Sequence, residues 1–328
     1  MDVGFHNYEH VRALMDGSVT IDGVDATFHT ERVVSDIFER MVRDREFGVA
    51  ELGLTFYLRT LDSDDPPFVA LPVFLARQFR HSAIFVNTGS GIESPQDLAG
   101  KLVGEFATYG HDAGVVATGM LSDEFGVTPE ECHWIIGGFD WPMAPLDFVP
   151  EPHPDDVEVT RAPEGKALGP MLDAGEIDAF ISADVPQCVI DGSPRVRRLF
   201  ADYRSVEADY YRRTGIFPIM HTLVIRRDLA AEHPGLAESV YRAFCDAKDV
   251  AMQEYRTGRI FNHIDVMMPW ISSLYDDNRG LFGDDWWPYG VAANCASIDA
   301  FLRWHYEQGL SRRRLTCEDI FVPELVNT

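Results

Sequence analysis

Arg80, His81, His111, Asp112, Asp184 and His221 are the side chains of this sequence best suited to hold an anion and move a proton. A guanidinium meets a carboxylate through two parallel hydrogen bonds, so Arg80 is read as a carboxylate clamp. Histidine, with an ordinary pKa near ~6.5, exchanges protons at neutral pH, which makes His81, His111 and His221 candidates for acid, base or metal ligand. In an extended strand His81 would point away from Arg80, so a local bend is needed for the pair to act together. Asp112 has two readings at the start of a helix. It fits an N-cap, and the same helix start offers free N–H groups and a positive dipole end to a bound carboxylate. Asp184 follows a strand at the edge where open α/β sheets take their ligands. His221 lies on a later strand, either in a site or as a satisfied core histidine. Glu51 at a strand end, His6 after an N-terminal strand and Tyr109 beside His111 are further binding candidates. Trp287, with Trp286 and Tyr289, could stack on an aromatic ring, although such clusters also build cores.

The elements that must position these groups follow from Gly91-Ile92-Glu93-Ser94-Pro95-Gln96-Asp97-Leu98-Ala99-Gly100-Lys101-Leu102-Val103-Gly104, directly after the apolar run Ser82–Val86. A strand, a turn, a short helix capped at Ser94-Pro95, a stop at Gly100 and a new strand are how a chain leaves one α/β lobe and begins a second. The expected fold is therefore two-lobed and periplasmic-binding-protein-like (type 2), with mainly parallel sheets flanked by helices and the ligand cleft between lobes. The expected lobes are residues 1–87 with 220–328, and residues 88–219. Helical spacing predicts a helix over Ser35–Phe47 and a long one after Pro234, with Leu236, Val240, Phe244, Ala247 and Ala251 on one face. The chain is expected to be extended over 68–75 and 81–87, His133–Ile136, Ile177–Ser182 and the return crossing Gly215–Ile225. Residues 139–165, with six prolines, read as an irregular surface loop.

At 328 residues the chain is long enough for two lobes, and its 46% hydrophobic content supports a full core. A net charge of −25 excludes a nucleic-acid partner, which needs a basic footprint. No apolar run approaches the ~20 residues of a membrane span. Five cysteines without a CxxC pair read as reduced thiols; Cys188 and Cys317 have no base beside them in sequence. With no signal peptide at Met1–His6, the expected location is cytoplasmic. Arg312-Arg313-Arg314 reads as a helix end or a partner contact, and no HExxH, P-loop or GxGxxG motif is present.

Several blocks carry a resemblance. Arg77-Gln78-Phe79-Arg80-His81-Ser82, Gly192–Phe200, Asp209–Thr222, Trp287-Pro288-Tyr289-Gly290 and Glu307–Thr316 are similar to the 4,5-dihydroxyphthalate decarboxylase family, over essentially the whole chain from Glu51 onward. The resemblance implies a cytosolic carboxy-lyase that removes one carboxylate from a hydroxylated aromatic dicarboxylate. Such chemistry needs a carboxylate clamp, a base or metal at the catechol oxygens, and an acid that protonates the ring carbon before CO2 departs. Each acid–base group contributes roughly 10²- to 10⁴-fold. A divalent metal ion or no cofactor at all are both left open, and the partner is a small aromatic carboxylate, with self-association also open. The alternatives are a non-catalytic solute-binding protein for an aromatic carboxylate and a cytosolic enzyme of thiamine-precursor type.

Overall fold

A computed structural model describes residues 1–328. Eleven strands form two sheets. The first contains β1 (Asp2–Gly4), β2 (Thr27–His29), β3 (Val49–Gly53), β4 (Phe68–Arg77) and β11 (Ile219–Arg226), in the order β2-β1-β3-β11-β4. The second contains β5 (Ile84–Asn87), β6 (Leu102–Phe106), β7 (His133–Gly137), β8 (Glu158–Arg161), β9 (Ala179–Ile181) and β10 (Val196–Arg198), ordered β10-β5-β9-β6-β7-β8. Pairings among β2, β1 and β3 and among β9, β6, β7 and β8 are parallel, while the crossing strands β5 and β11 run antiparallel to their neighbours. The fold is thus a mixed α/β arrangement of two sheets flanked by helices.

The local signals act as their chemistry requires. Ser94 and Asp97 close a capping box around the short helix Pro95–Leu98, and Gly100 turns the chain at φ +73° into β6. The amphipathic helix Val34–Asp44 buries Ile37, Phe38 and Met41. The long helix Leu236–Ile260 begins after Gly235, with Pro234 just ahead of it, and buries Val240, Phe244 and Ala247 against the first sheet. Phe5 meets Phe244 edge-on at 5.6 Å.

Two expectations are corrected. Residues 81–87 are not one strand: His81–Ala83 form a 3₁₀ turn and only Ile84–Asn87 are extended, hydrogen-bonded inside the second sheet. Within the proline-rich segment, Glu158–Arg161 is a strand, because its backbone extends the parallel edge of β7. No helix is long and apolar enough to cross a membrane.

Candidate active site

Glu51 and His221 are brought together by strand register. β11 runs antiparallel to β3 with Leu223 opposite Glu51 and His221 opposite Gly53, so both side chains stand on one face. Glu51 is fully buried. Its Oε1 lies 2.6 Å from His221 Nδ1 and accepts the Tyr8 hydroxyl at 2.6 Å, while its Oε2 accepts the His6 backbone N–H at 2.9 Å. With Nδ1 engaged by Glu51, His221 Nε2 is the ring nitrogen left to exchange a proton with a ligand.

Gly53 is the place where the second lobe's helix Asp112–Phe125 touches this face. A Cβ on Gly53 would lie 2.3 Å from Asp112 Oδ2, so only glycine lets the carboxyl rest over β3. Asp112 Oδ1 accepts the Thr55 N–H at 2.8 Å, and Oδ2 is buried without a partner. Burial pushes Asp112 up to about 6, against the opposing pull of His221, the Thr55 N–H, Arg59 and Arg80. The N-cap of that helix is His111 rather than Asp112: its Nδ1 accepts from the Ala113 N–H at 3.3 Å, leaving the ring proton on Nε2. Burial first, then the positive charge of Arg80, of His221 whenever it is protonated, and of Arg59, hold His111 down at about 3. Neutral His111 is a hydrogen-bond donor here, and Asp112 is a carboxyl poised to change its proton. The helix is pinned by a close approach at Gly119, where a Cβ would meet the Trp304 ring at 2.2 Å.

Arg80 completes the cluster. Arg80 is 5% exposed, yet no Asp or Glu oxygen lies within 4.0 Å of its guanidinium. Nη1 donates to the Ala183 carbonyl at 3.1 Å, and Nε and Nη2 face the Met220 sulfur at 3.3 and 2.8 Å. Burial lowers Arg80 to about 10, with Asp112, Asp184 and Glu207 as the nearest stabilising charges. A buried guanidinium held by weak acceptors is suited to receive an anion.

The other expected residues lie elsewhere. The 3₁₀ turn sends His81 away from Arg80, into the aromatic edges of Phe200 and Tyr210 at 5.2 Å each, where burial lowers it to about 4. Tyr109 packs on Trp134 at 5.7 Å, and only its carbonyl reaches toward the site, accepting from Arg59 at 2.8 Å. The His6 ring meets the Glu31 carbonyl at 3.0 Å, so His6 serves Glu51 through its backbone. Trp287 donates to the Phe74 carbonyl at 2.9 Å and lines a cavity of about 430 Å³ with Tyr8, His10 and Arg77. Asp184 is exposed and lines a second cavity, about 510 Å³, with Arg77, Ala183, Glu207 and Phe217. Ala183 also accepts from Arg80, so this cavity adjoins the Arg80 guanidinium.

Three contributors escaped the sequence reading. Tyr8 holds Glu51 and stacks on His10 at 5.2 Å. Arg59, 2% exposed, donates to the Tyr109 and Gly110 carbonyls at 2.8 and 2.9 Å and so shapes the loop that presents His111. Glu105, 1% exposed on β6, accepts the His111 N–H at 3.1 Å and is pushed by burial up to about 8. A lone carboxylate inside the run Leu102–Phe106 was the available signal for Glu105. No group of three His, Cys, Asp or Glu side chains is placed to hold a metal ion, so the residues present do not fit a resident metal.

Similarity to known proteins decides the assignment. No protein-family model matches the chain. It is 36% identical over 323 residues to the 4,5-dihydroxyphthalate decarboxylase of Comamonas testosteroni, a span of 98% of this chain and 96% of that one. The chain belongs to the 4,5-dihydroxyphthalate decarboxylase family. The 4,5-dihydroxyphthalate decarboxylase of Pseudomonas putida is 35% identical over 212 residues, 65% of this chain and 81% of that protein. Among solved structures, the periplasmic aliphatic sulphonate binding protein SsuA of Escherichia coli superposes with a TM-score of 0.53 at 13% identity, covering 99% of this chain and 98% of SsuA. The alkanesulfonate-binding protein SsuA of Xanthomonas axonopodis pv. citri, bound to MOPS, gives 0.52 at 11% identity, covering 96% and 95%. These neighbours show that the chain has a periplasmic-binding-protein-like fold.

Proposed function

We propose that this family member is a cytoplasmic carboxy-lyase acting on a hydroxylated aromatic dicarboxylate, 4,5-dihydroxyphthalate first, to give protocatechuate and CO2. The observation that carries the reading is Arg80: a buried guanidinium without a carboxylate partner, in one cluster with a Glu51–His221 pair and Asp112. The unpaired state of all five cysteines suits the proposed compartment. The ligand would sit between a lobe of residues 1–87 and 220–328 and a lobe of 88–219. The first boundary is better drawn at Ala83, since β5 hydrogen-bonds within the second sheet.

In this scheme Arg80 holds the carboxylate that is kept. His221 Nε2 takes the proton of the hydroxyl para to the departing carboxylate, and Glu51 stabilises the resulting imidazolium. The phenolate pushes its electron pair to the ring carbon that carries the carboxylate. Protonated Asp112 delivers a proton to that carbon, with the His111 Nε2–H as a neutral donor to the substrate oxygens. The carbon–carboxylate bond then breaks, its electron pair restores the aromatic ring, and CO2 leaves. His221 returns its proton to the phenolate, and Asp112 regains one from water, so one proton is consumed per CO2. Two titratable groups pushed to opposite protonation preferences, His111 and Asp112, suit this division of labour.

The test mixes purified, chelator-treated protein with 4,5-dihydroxyphthalate and follows protocatechuate by chromatography. Turnover that survives chelation is expected. Turnover restored only by added divalent metal would overturn the side-chain mechanism, and tight binding without product would indicate a solute-binding protein.

A further inference from the structure

The long helix Leu236–Ile260 and the following helix Ile271–Phe282 are joined by a tip that is apolar and exposed. Ile260 is 78% exposed, Phe261 64%, Ile264 82%, Met267 102%, Met268 53% and Trp270 82%. At about 200 Å² for a fully exposed side chain of this size, the six present roughly 900 Å² of surface. The largest apolar patch on a typical monomer is ~300–600 Å². A stable interface buries ~800 Å² per partner. The patch therefore matches what a stable dimer needs from one protomer, and exceeds what a free monomer usually leaves in water.

Two further observations bear on what covers it. The tip is held in shape: Arg259 grips Asp276 at 2.8 and 2.9 Å, and His263 Nδ1 lies 2.9 Å from Ser272 Oγ. A cavity of about 580 Å³ opens at the base of the tip, its wall mixing Val250, Phe261 and Val266 with Glu9, Glu254 and Asp265. The acidic wall of that recess leaves the exposed apolar side chains to meet their like, as they do across a two-fold axis where each copy presents the same patch to the other. An anionic membrane is the weaker occupant, because a chain of net charge −25 is repelled from it.

We propose that the tip around residues 260–270 is a two-fold interface with a second copy of this chain. None of these residues belongs to the catalytic cluster, so the proposal stands or falls apart from the decarboxylase reading. The test is sedimentation velocity on the full chain from nanomolar to tens of micromolar, for the native protein and for Met267→Glu, Trp270→Glu and Ile264→Arg. All three positions are solvent-exposed, and far-UV circular dichroism checks folding. The expected result is an even-numbered native assembly. Trp270→Glu should raise the dissociation constant at least about 30-fold, as a central aromatic anchor does, with activity per protomer retained. A native monomer at every concentration would overturn the proposal. So would variants that keep the native assembly, or a native monomer that floats with uncharged lipid vesicles through this tip.

Discussion

Replacing Arg80 by methionine should weaken ligand binding while making the unliganded protein more stable. Burial lowers Arg80 from 12.5 to about 10, and a lowering of that size is worth about 3 kcal/mol against the charged form. No carboxylate offsets it, and the only acceptors are the Ala183 carbonyl and the Met220 sulfur. Methionine fills similar space beside Met220 without a charge to desolvate. Apolar replacements of buried charges are neutral or stabilising by about 1–4 kcal/mol, which predicts a Tm rise of roughly 2–6 °C. Binding should move the other way. Two charge-assisted hydrogen bonds, at about 1.5–3 kcal/mol each, are lost, so a dicarboxylate should bind at least ~100-fold more weakly. Arg80→Lys keeps the charge and loses the fork, and should fall between. Thermal melts and calorimetric titration with phthalate, which lacks the hydroxyls needed for turnover, measure both quantities. A variant that melts several degrees lower yet binds phthalate within threefold of the native protein would make Arg80 a structural residue and refute the clamp.

Glu51→Gln keeps the shape of the buried side chain but removes the charge facing His221, so kcat should fall about 10²- to 10⁴-fold with phthalate affinity nearly unchanged; steady-state kinetics beside the titration will check it. If Asp112 must be protonated in the free enzyme, kcat/KM should decline tenfold per pH unit above about 6, and Asp112→Asn should abolish turnover; a flat pH profile through pH 8 would move the acid elsewhere. Glu105 ionises near 4.5 when unfolded and is raised to about 8 in the fold. The native chain therefore holds the extra proton between those values, and stability drops as pH rises through them, by up to about 1.4 kcal/mol per unit. Glu105→Gln should flatten that decline, seen as a smaller difference in denaturation midpoint between pH 5 and pH 9.

What the sequence disclosed depended on whether the deciding interaction was local. Ser94, Asp97 and Gly100 act within a few residues of one another, and so do the spacing of Ile37, Phe38 and Met41 and the glycine stops. The α/β architecture could be read from such signals, and Arg80, His111, Asp112, His221 and Glu51 could be named as candidates from residue type. The contacts that bring these candidates together could not. Tyr8 meets a histidine 213 residues away, and Asp112 reaches back 57 residues to Thr55. His81 illustrates the opposite failure: its type suited catalysis, but a 3₁₀ turn, indistinguishable from a strand in an apolar run, delivers it to Phe200 and Tyr210. Glu158–Arg161 was hidden by prolines nearby, because edge pairing with β7 depends on backbone rather than on side chains.

The most direct measurement follows 4,5-dihydroxyphthalate labelled with ¹³C in both carboxylates by NMR, with native protein and with His221→Ala. The account predicts one labelled CO2 or bicarbonate for each protocatechuate from the native protein, and from the variant a bound but unconverted substrate. Native protein that binds the compound and releases no CO2, or a variant that turns over at the native rate, would contradict it.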